Sequence, residues 1–189
     1  MKNRKLQYNS PVVLTFFLAS LSILILHLFT GGTFTHKFFM VYRSPLSVSF
    51  VIRLFGHVLG HADFAHFTGN MLLFLVVAPP MEEKYGSKLL LWAILLTAVL
   101  SGLFQCIFFP NTALLGASGV VFMLILLSSL SGMKHGGIPL TLILVAVLYL
   151  GQEVLNGLTL QDNTSNITHI LGGLCGTAFG FWVQRHQHR

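Results

Sequence analysis

The sequence predicts an all-α membrane protein, a bundle of six transmembrane helices, and three observations carry that expectation. Of 189 residues, 54% are hydrophobic and only 8% charged, with a mean hydropathy of +0.78. Six apolar runs have interiors almost free of charge, and the cations gather at the chain ends and in short loops. Soluble domains carry about 25% charged residues and could not hide this much apolar surface. With no repeat, low-complexity tract or second domain, residues 1–189 read as one membrane domain.

The six runs cover residues 12–29, 64–78, 89–109, 116–130, 138–155 and 167–183. Because most faces are apolar, length and flanks identify them as helices better than periodicity does. The first is long enough to span, and no small-residue cleavage site clearly follows it, so it reads as a helix and not a cleaved leader. The second and fourth are short against the ~20 residues a full crossing needs. Pro79 and Pro80 interrupt the second, since proline removes a helical donor.

Six spans put both termini on one side. Lys2, Arg4, Lys5, Lys84, Lys88, Lys134, Arg185 and Arg189 share it, and Lys37, Arg43 and Arg53 lie opposite. The positive-inside rule then makes the termini cytoplasmic, with residues 1–10 as a tail. Together with the compact size, this points to a bacterial inner membrane. The long first loop, residues 31–63, becomes external. Its Phe38, Phe39, Tyr42 and Phe50 suit the membrane interface. The net charge of +6 is spread as topology signals, not as a stripe, which argues against nucleic-acid binding. Cys106 and Cys175 lie in apolar runs without metal-ligand spacing, and no structural disulfide is expected.

Polar side chains inside a membrane are costly and read as functional by default. Three clusters stand out: His66 with Asn70, Gly116-Ala117-Ser118-Gly119, and His169. Ser118 lies 16 residues before Lys134, His169 lies 16 before Arg185, and His66 lies 16 before Glu82. At ~1.5 Å per residue, each stands ~24 Å above the cytoplasmic boundary. That is several Å below the external surface of a ~30 Å core. Scattered polar residues have no reason to share a level, whereas a site assembled from three helices does.

Ser118 and His169 can meet only if their helices approach closely. Gly172, Gly176 and Gly180 recur every four residues after His169, a small-residue groove that admits a partner backbone. Gly116, Ala117 and Gly119 are likewise small around Ser118. A serine hydroxyl is a weak nucleophile until a base within hydrogen-bond reach takes its proton, and a neutral imidazole suits that task. His66 and Asn70, at i and i+4, face the same way and can both donate. With the Ser118 amide they form a set of donors for a developing oxyanion.

These residues together resemble the rhomboid protease family, from about residue 53 to residue 180. The resemblance rests on His61-x4-His66-x3-Asn70, Glu82-Glu83-Lys84-Tyr85-Gly86-Ser87, Gly116-Ala117-Ser118-Gly119 and His169-x2-Gly172-x3-Gly176, in that order. It implies a six-helix rhomboid-like bundle with a water-filled cavity open to the outside. It implies an intramembrane serine endopeptidase with a Ser118–His169 dyad and no acidic third member. Its partners would be transmembrane protein substrates, cleaved near their outer end within the lipid bilayer, and no cofactor or metal is called for. Gly116, Gly119, Phe122 and Gly172 take supporting places around the dyad. Two departures stand out. Ile52 precedes Arg53 where the family often has tryptophan, and Phe122 stands where a tyrosine often packs on the base. A branch of the family that processes glycine-rich C-terminal sorting tails looks similar, and a non-catalytic relative that binds membrane helices is the principal alternative.

His61 and His57 read as structural closures of the first loop, and His27 as a packed side chain. The spacing of His57, His61 and His66 does not suit a helical metal-ligand pair. Glu82 and Glu83 are expected to bond loop backbone on the cytoplasmic side, and Glu153 to be solvated. A transporter would need a polar path to the cytoplasm, and the inner halves of the spans are too apolar to offer one.

Overall fold

Pro11 opens α1 (Pro11–Phe29), at a position where its missing N–H costs nothing. The structure, a computed structural model, describes residues 7–131, 140, 143–144, 147–148, 170–179 and 181–182. Two short helices follow α1 within the first loop, α2 (Thr33–Phe38) and α3 (Val48–Gly56), then a 3-10 turn at His57–Leu59. Two long helices come next, α4 (Phe64–Tyr85) and α5 (Ser87–Phe108), and then α6 (Ser118–Ser131). Ile170–Phe179 forms a further apolar helix, α7. The described residues contain no strand, only an isolated antiparallel bridge between Val41 and Leu114.

Among the described residues, α1, α4 and α5 are long and apolar enough to cross a membrane. The expected fifth span lies mostly outside the described residues. Within it Leu140, Ile143, Leu144, Val147 and Leu148 are helical and exposed, with the spacing of one helix face. Apolar side chains so exposed are stable against lipid.

One expectation needs correcting. Pro79 and Pro80 do not end the second span, because α4 continues through both to Tyr85 and stops at Gly86, whose φ is +83°. Tertiary contacts hold this last turn. Glu82, buried on α4, accepts from the Val12 and Val13 amides at 3.0 and 3.0 Å, and from the Ser87 hydroxyl at 2.6 Å. Helix starts leave several amides without internal partners. Ser10 makes no side-chain cap on α1, so the distant carboxylate does that work and sits favourably at the positive end of the helix. Glu82 thus bonds backbone, as expected, but the backbone is the start of α1.

Among the described residues α6 covers 14, or ~21 Å, and the chain from residue 132 lies mostly outside them. Val120, Val121, Phe122, Met123 and Leu124 are all at most 2% exposed. A helix apolar and buried on every side is central, and neighbours rather than lipid surround it. It packs with α1, α4, α5 and the 3-10 turn in one core, against which Cys175 and Phe179 of α7 also pack.

Candidate active site

Asp63 caps α4, its Oδ1 accepting from the His66 amide at 2.7 Å. This fixes the first turn of α4 and so the direction of the His66 side chain. From His66 to Glu82 is one unbroken helix of 16 steps, so the depth inferred for His66 rests on ~24 Å of continuous helix. Asn70, buried one turn below, donates from Nδ2 to the His66 carbonyl at 3.1 Å.

Opposite these two residues runs the turn that leads into α6. Gly116 has φ +121°, a conformation open to glycine and hostile to L side chains. A Cβ there would stand 2.8 Å from both Cε1 and Nε2 of His66, and 3.9 Å from Nδ2 of Asn70. The His66 imidazole therefore lies directly on the Gly116 backbone, with the Asn70 amide beside it. Two residues on, Ser118 begins α6 and is partly exposed, while Ala117 and Gly119 are buried. The Ala117 carbonyl accepts from the Val121 amide at 2.9 Å, so the 118, 119 and 120 amides precede the first such bond of the helix. Such amides suit a developing negative charge.

Position of this turn is fixed by the first loop. The Gly116 amide donates to the His57 carbonyl at 2.9 Å, and the Val41–Leu114 bridge closes with bonds of 2.9 and 2.8 Å. His57 is itself held: Nδ1 donates to the Leu54 carbonyl at 3.1 Å, and Nε2 lies 3.3 Å from the Ser101 hydroxyl of α5. His61 is fully buried, donates from Nδ1 to the Leu59 carbonyl at 3.2 Å, and meets the His66 ring edge-on at 5.1 Å. Both loop histidines have pKa values lowered to about 4, chiefly by burial, with His66 adding to the effect on His61. Neutral, they fill the structural places expected of them. Sequence reading missed that His57 contributes through its carbonyl, because a backbone acceptor leaves no mark on residue type. His27, also expected to pack, lies against Gly32.

His169 lies outside the described residues. The helix that follows it is described, and its glycine face is turned toward Ser118's helix. A Cβ on Gly172 would run into the Gly119 carbonyl oxygen, and one on Gly176 into that of Met123. The steps 172 to 176 and 119 to 123 match, so α6 and α7 run parallel in register with backbones touching. Gly173 leaves room for Phe122, whose ring would meet a Cβ there. Gly180 lies outside the described residues.

Three long apolar helices and a buried central one, with the His66 imidazole and the Asn70 amide set against the turn that leads into Ser118, define a membrane-embedded protein with polar side chains inside the bundle. A model of the rhomboid domain matches residues 49–186. The chain belongs to the rhomboid family. It is 27% identical over 185 residues to the rhomboid protease GlpG of Yersinia pseudotuberculosis serotype I, covering 95% of this chain and 65% of that protein. It is 30% identical over 140 residues to the GlpG of Serratia proteamaculans, covering 71% of this chain and 49% of that one. The chain therefore spans less than two thirds of the length of these relatives.

Proposed function

We propose that the protein is an intramembrane serine endopeptidase in which Ser118 attacks the scissile carbonyl of a transmembrane substrate and His169 serves as its base. The observation that carries this reading is the contact of His66 and Asn70 with the backbone turn that presents Ser118. A carbonyl reaching the Ser118 hydroxyl would enter among the His66 and Asn70 side chains and the first amides of α6. Those are the donors that a tetrahedral oxyanion needs, and each typically contributes a hundredfold or more in rate.

The register of α6 and α7 supports the place of the base. Gly172 faces Gly119, so the described start of α7 at Ile170 lies toward the end of α6 that carries Ser118, and His169 is the next residue back in sequence. The reaction follows from these roles. As the Ser118 oxygen bonds to the carbonyl carbon, His169 takes the hydroxyl proton. It returns that proton to the leaving amine as the peptide bond breaks, and water then releases the acyl-enzyme by the same exchange. Substrates would be helices that open easily near the cleavage point, with small or helix-breaking residues there. The cation distribution supports cytoplasmic termini in a bacterial inner membrane, with the site toward the opposite face.

Purified Ser118→Ala and His169→Ala variants, assayed on a transmembrane substrate, test the reading, and loss of cleavage in both is expected. A fluorophosphonate probe should label the native chain and not Ser118→Ala. Full cleavage by either variant, or no labelling of the native chain, overturns it.

A further inference from the structure

Arg53 is 5% exposed, and among the described residues its guanidinium is bonded only by neutral hydroxyls. Nη1 donates to Tyr42 at 3.2 Å and to Ser49 at 3.0 Å, and Nη2 donates to Ser44 at 2.6 Å. The group also lies 4.2 Å from the centre of the Tyr42 ring. Its Nε, buried, has no partner among the described residues. A buried cation held by hydroxyls and one ring is under-compensated, since neutral donors and π-faces offset only part of its desolvation.

Beside it opens a cavity of about 310 Å³ lined by Arg43, Ser44, Phe50, Leu103, Cys106 and Ile107. That is space for roughly ten water molecules. Ser44 joins the two features, for its hydroxyl accepts from Arg53 and lines the cavity. Arg43 adds a second, exposed guanidinium. The far wall is the C-terminal end of α5, where Leu103 and Ile107, one turn apart, are both exposed and apolar. The cavity stands at the end of α5, a helix long and apolar enough to cross a membrane, and the end of such a helix is where hydrocarbon gives way to headgroups.

The geometry points to a binding site for an anionic phospholipid, with its phosphate between Arg43 and Ser44 and an acyl chain laid along α5 past Leu103 and Ile107. Arginine pairs with phosphate through two parallel bonds, and a phosphate here supplies the negative charge that Arg53 lacks, through Ser44. An apolar wall continuous with a cationic pocket fits a molecule with an anionic head and a hydrocarbon tail. This site is separate from the proposed catalytic groups and does not depend on them.

The test uses the full chain purified in detergent, with thermal unfolding followed in mixed micelles. Phosphatidylglycerol should raise the midpoint by about 4 °C more than phosphatidylcholine of the same chains. Arg43→Gln and, separately, Ile107→Trp, which fills the apolar wall, should each abolish that difference. Native mass spectrometry should show one retained phosphatidylglycerol on the native chain and loss of it in both variants. Equal stabilisation by the two lipids overturns the site, as does a preference that survives in both variants. Inorganic phosphate reproducing the whole gain also overturns it, by showing a free-anion pocket indifferent to the lipid tail.

Discussion

Gly172 and Gly119 meet backbone to backbone, so that no side chain larger than hydrogen fits at residue 172. The contact belongs to a pair of parallel helices that touch again at Gly176 and Met123. Close approach of this kind is what small residues provide in membranes, where packing rather than water exclusion drives helix association.

Gly172→Ala should therefore separate the Ser118 helix from α7. Overpacking of a tight contact costs about 1–3 kcal/mol. The expected outcome is a lower unfolding midpoint and a fall in substrate cleavage of at least about tenfold, because misplacement by about 1 Å is costly at a reacting centre. Gly176→Ala, one turn further from the serine, should lower stability to a similar degree with a smaller loss of cleavage. Equal activity of Gly172→Ala and the native protein contradicts this.

Gly116→Ala meets two obstacles at once, the φ of +121° and the His66 ring 2.8 Å from any Cβ. Strained backbone of this kind costs about 1–3 kcal/mol. Cleavage should drop more steeply than stability, since the displaced groups are the proposed oxyanion donors. His66→Ala in the same background should restore space but not activity. Measuring kcat and KM together with the unfolding midpoint in both variants checks this.

Glu82→Gln keeps the shape of the α1 cap and removes its charge, while Glu82→Ala removes both. Bonds to a charged acceptor, and caps in general, contribute about 1–3 kcal/mol. The order of unfolding midpoints should be native, then Gln, then Ala. Residual cleavage at low temperature should change little, because Glu82 sits ~24 Å along α4 from His66. An Ala variant as stable as the native chain argues against the cap.

Acid should destabilise the fold in a defined window. His57 and His61 have folded pKa values of about 4, below the ordinary 6.5. Between those values the unfolded chain binds protons that the folded chain does not, so stability rises with pH across the window and falls as pH drops through it. Thermal midpoints should be level near neutral pH, decline from about pH 6.5 toward about pH 4, and flatten below. His61→Asn should show a shallower decline than the native chain. A midpoint constant across that window contradicts the buried, neutral state of these two rings.

Helix positions were legible wherever length and apolarity act together, as in α1 and α5. The continuation of α4 past Pro79 and Pro80 was not, because what holds it is a carboxylate bonded to amides 69 and 70 residues away in sequence. The first loop reads as a long external segment without assigned elements, and it folds into α2, α3 and a 3-10 turn of six, nine and three residues. Helices so short show no dependable period in a Phe-rich sequence. His66 and Asn70 stood out because polar side chains in an apolar run are costly, and the structure brings both beside Gly116. What residue types could not convey was the frame: the His57 carbonyl, the Val41–Leu114 bridge and the φ of Gly116 are properties of backbone.

That bridge carries a consequence for how the protein answers its surroundings. With Val41 paired to Leu114 and the His57 carbonyl bonded to the Gly116 amide, the first loop and the stretch of chain leading into Ser118 are tied at two points. A pull on one is a displacement of the other. Thinning of the bilayer, a passing helix or a tethered neighbour that tilts the outer segment would be felt as a change of aim in the Ser118 hydroxyl, the proposed nucleophile, with no moving part between them.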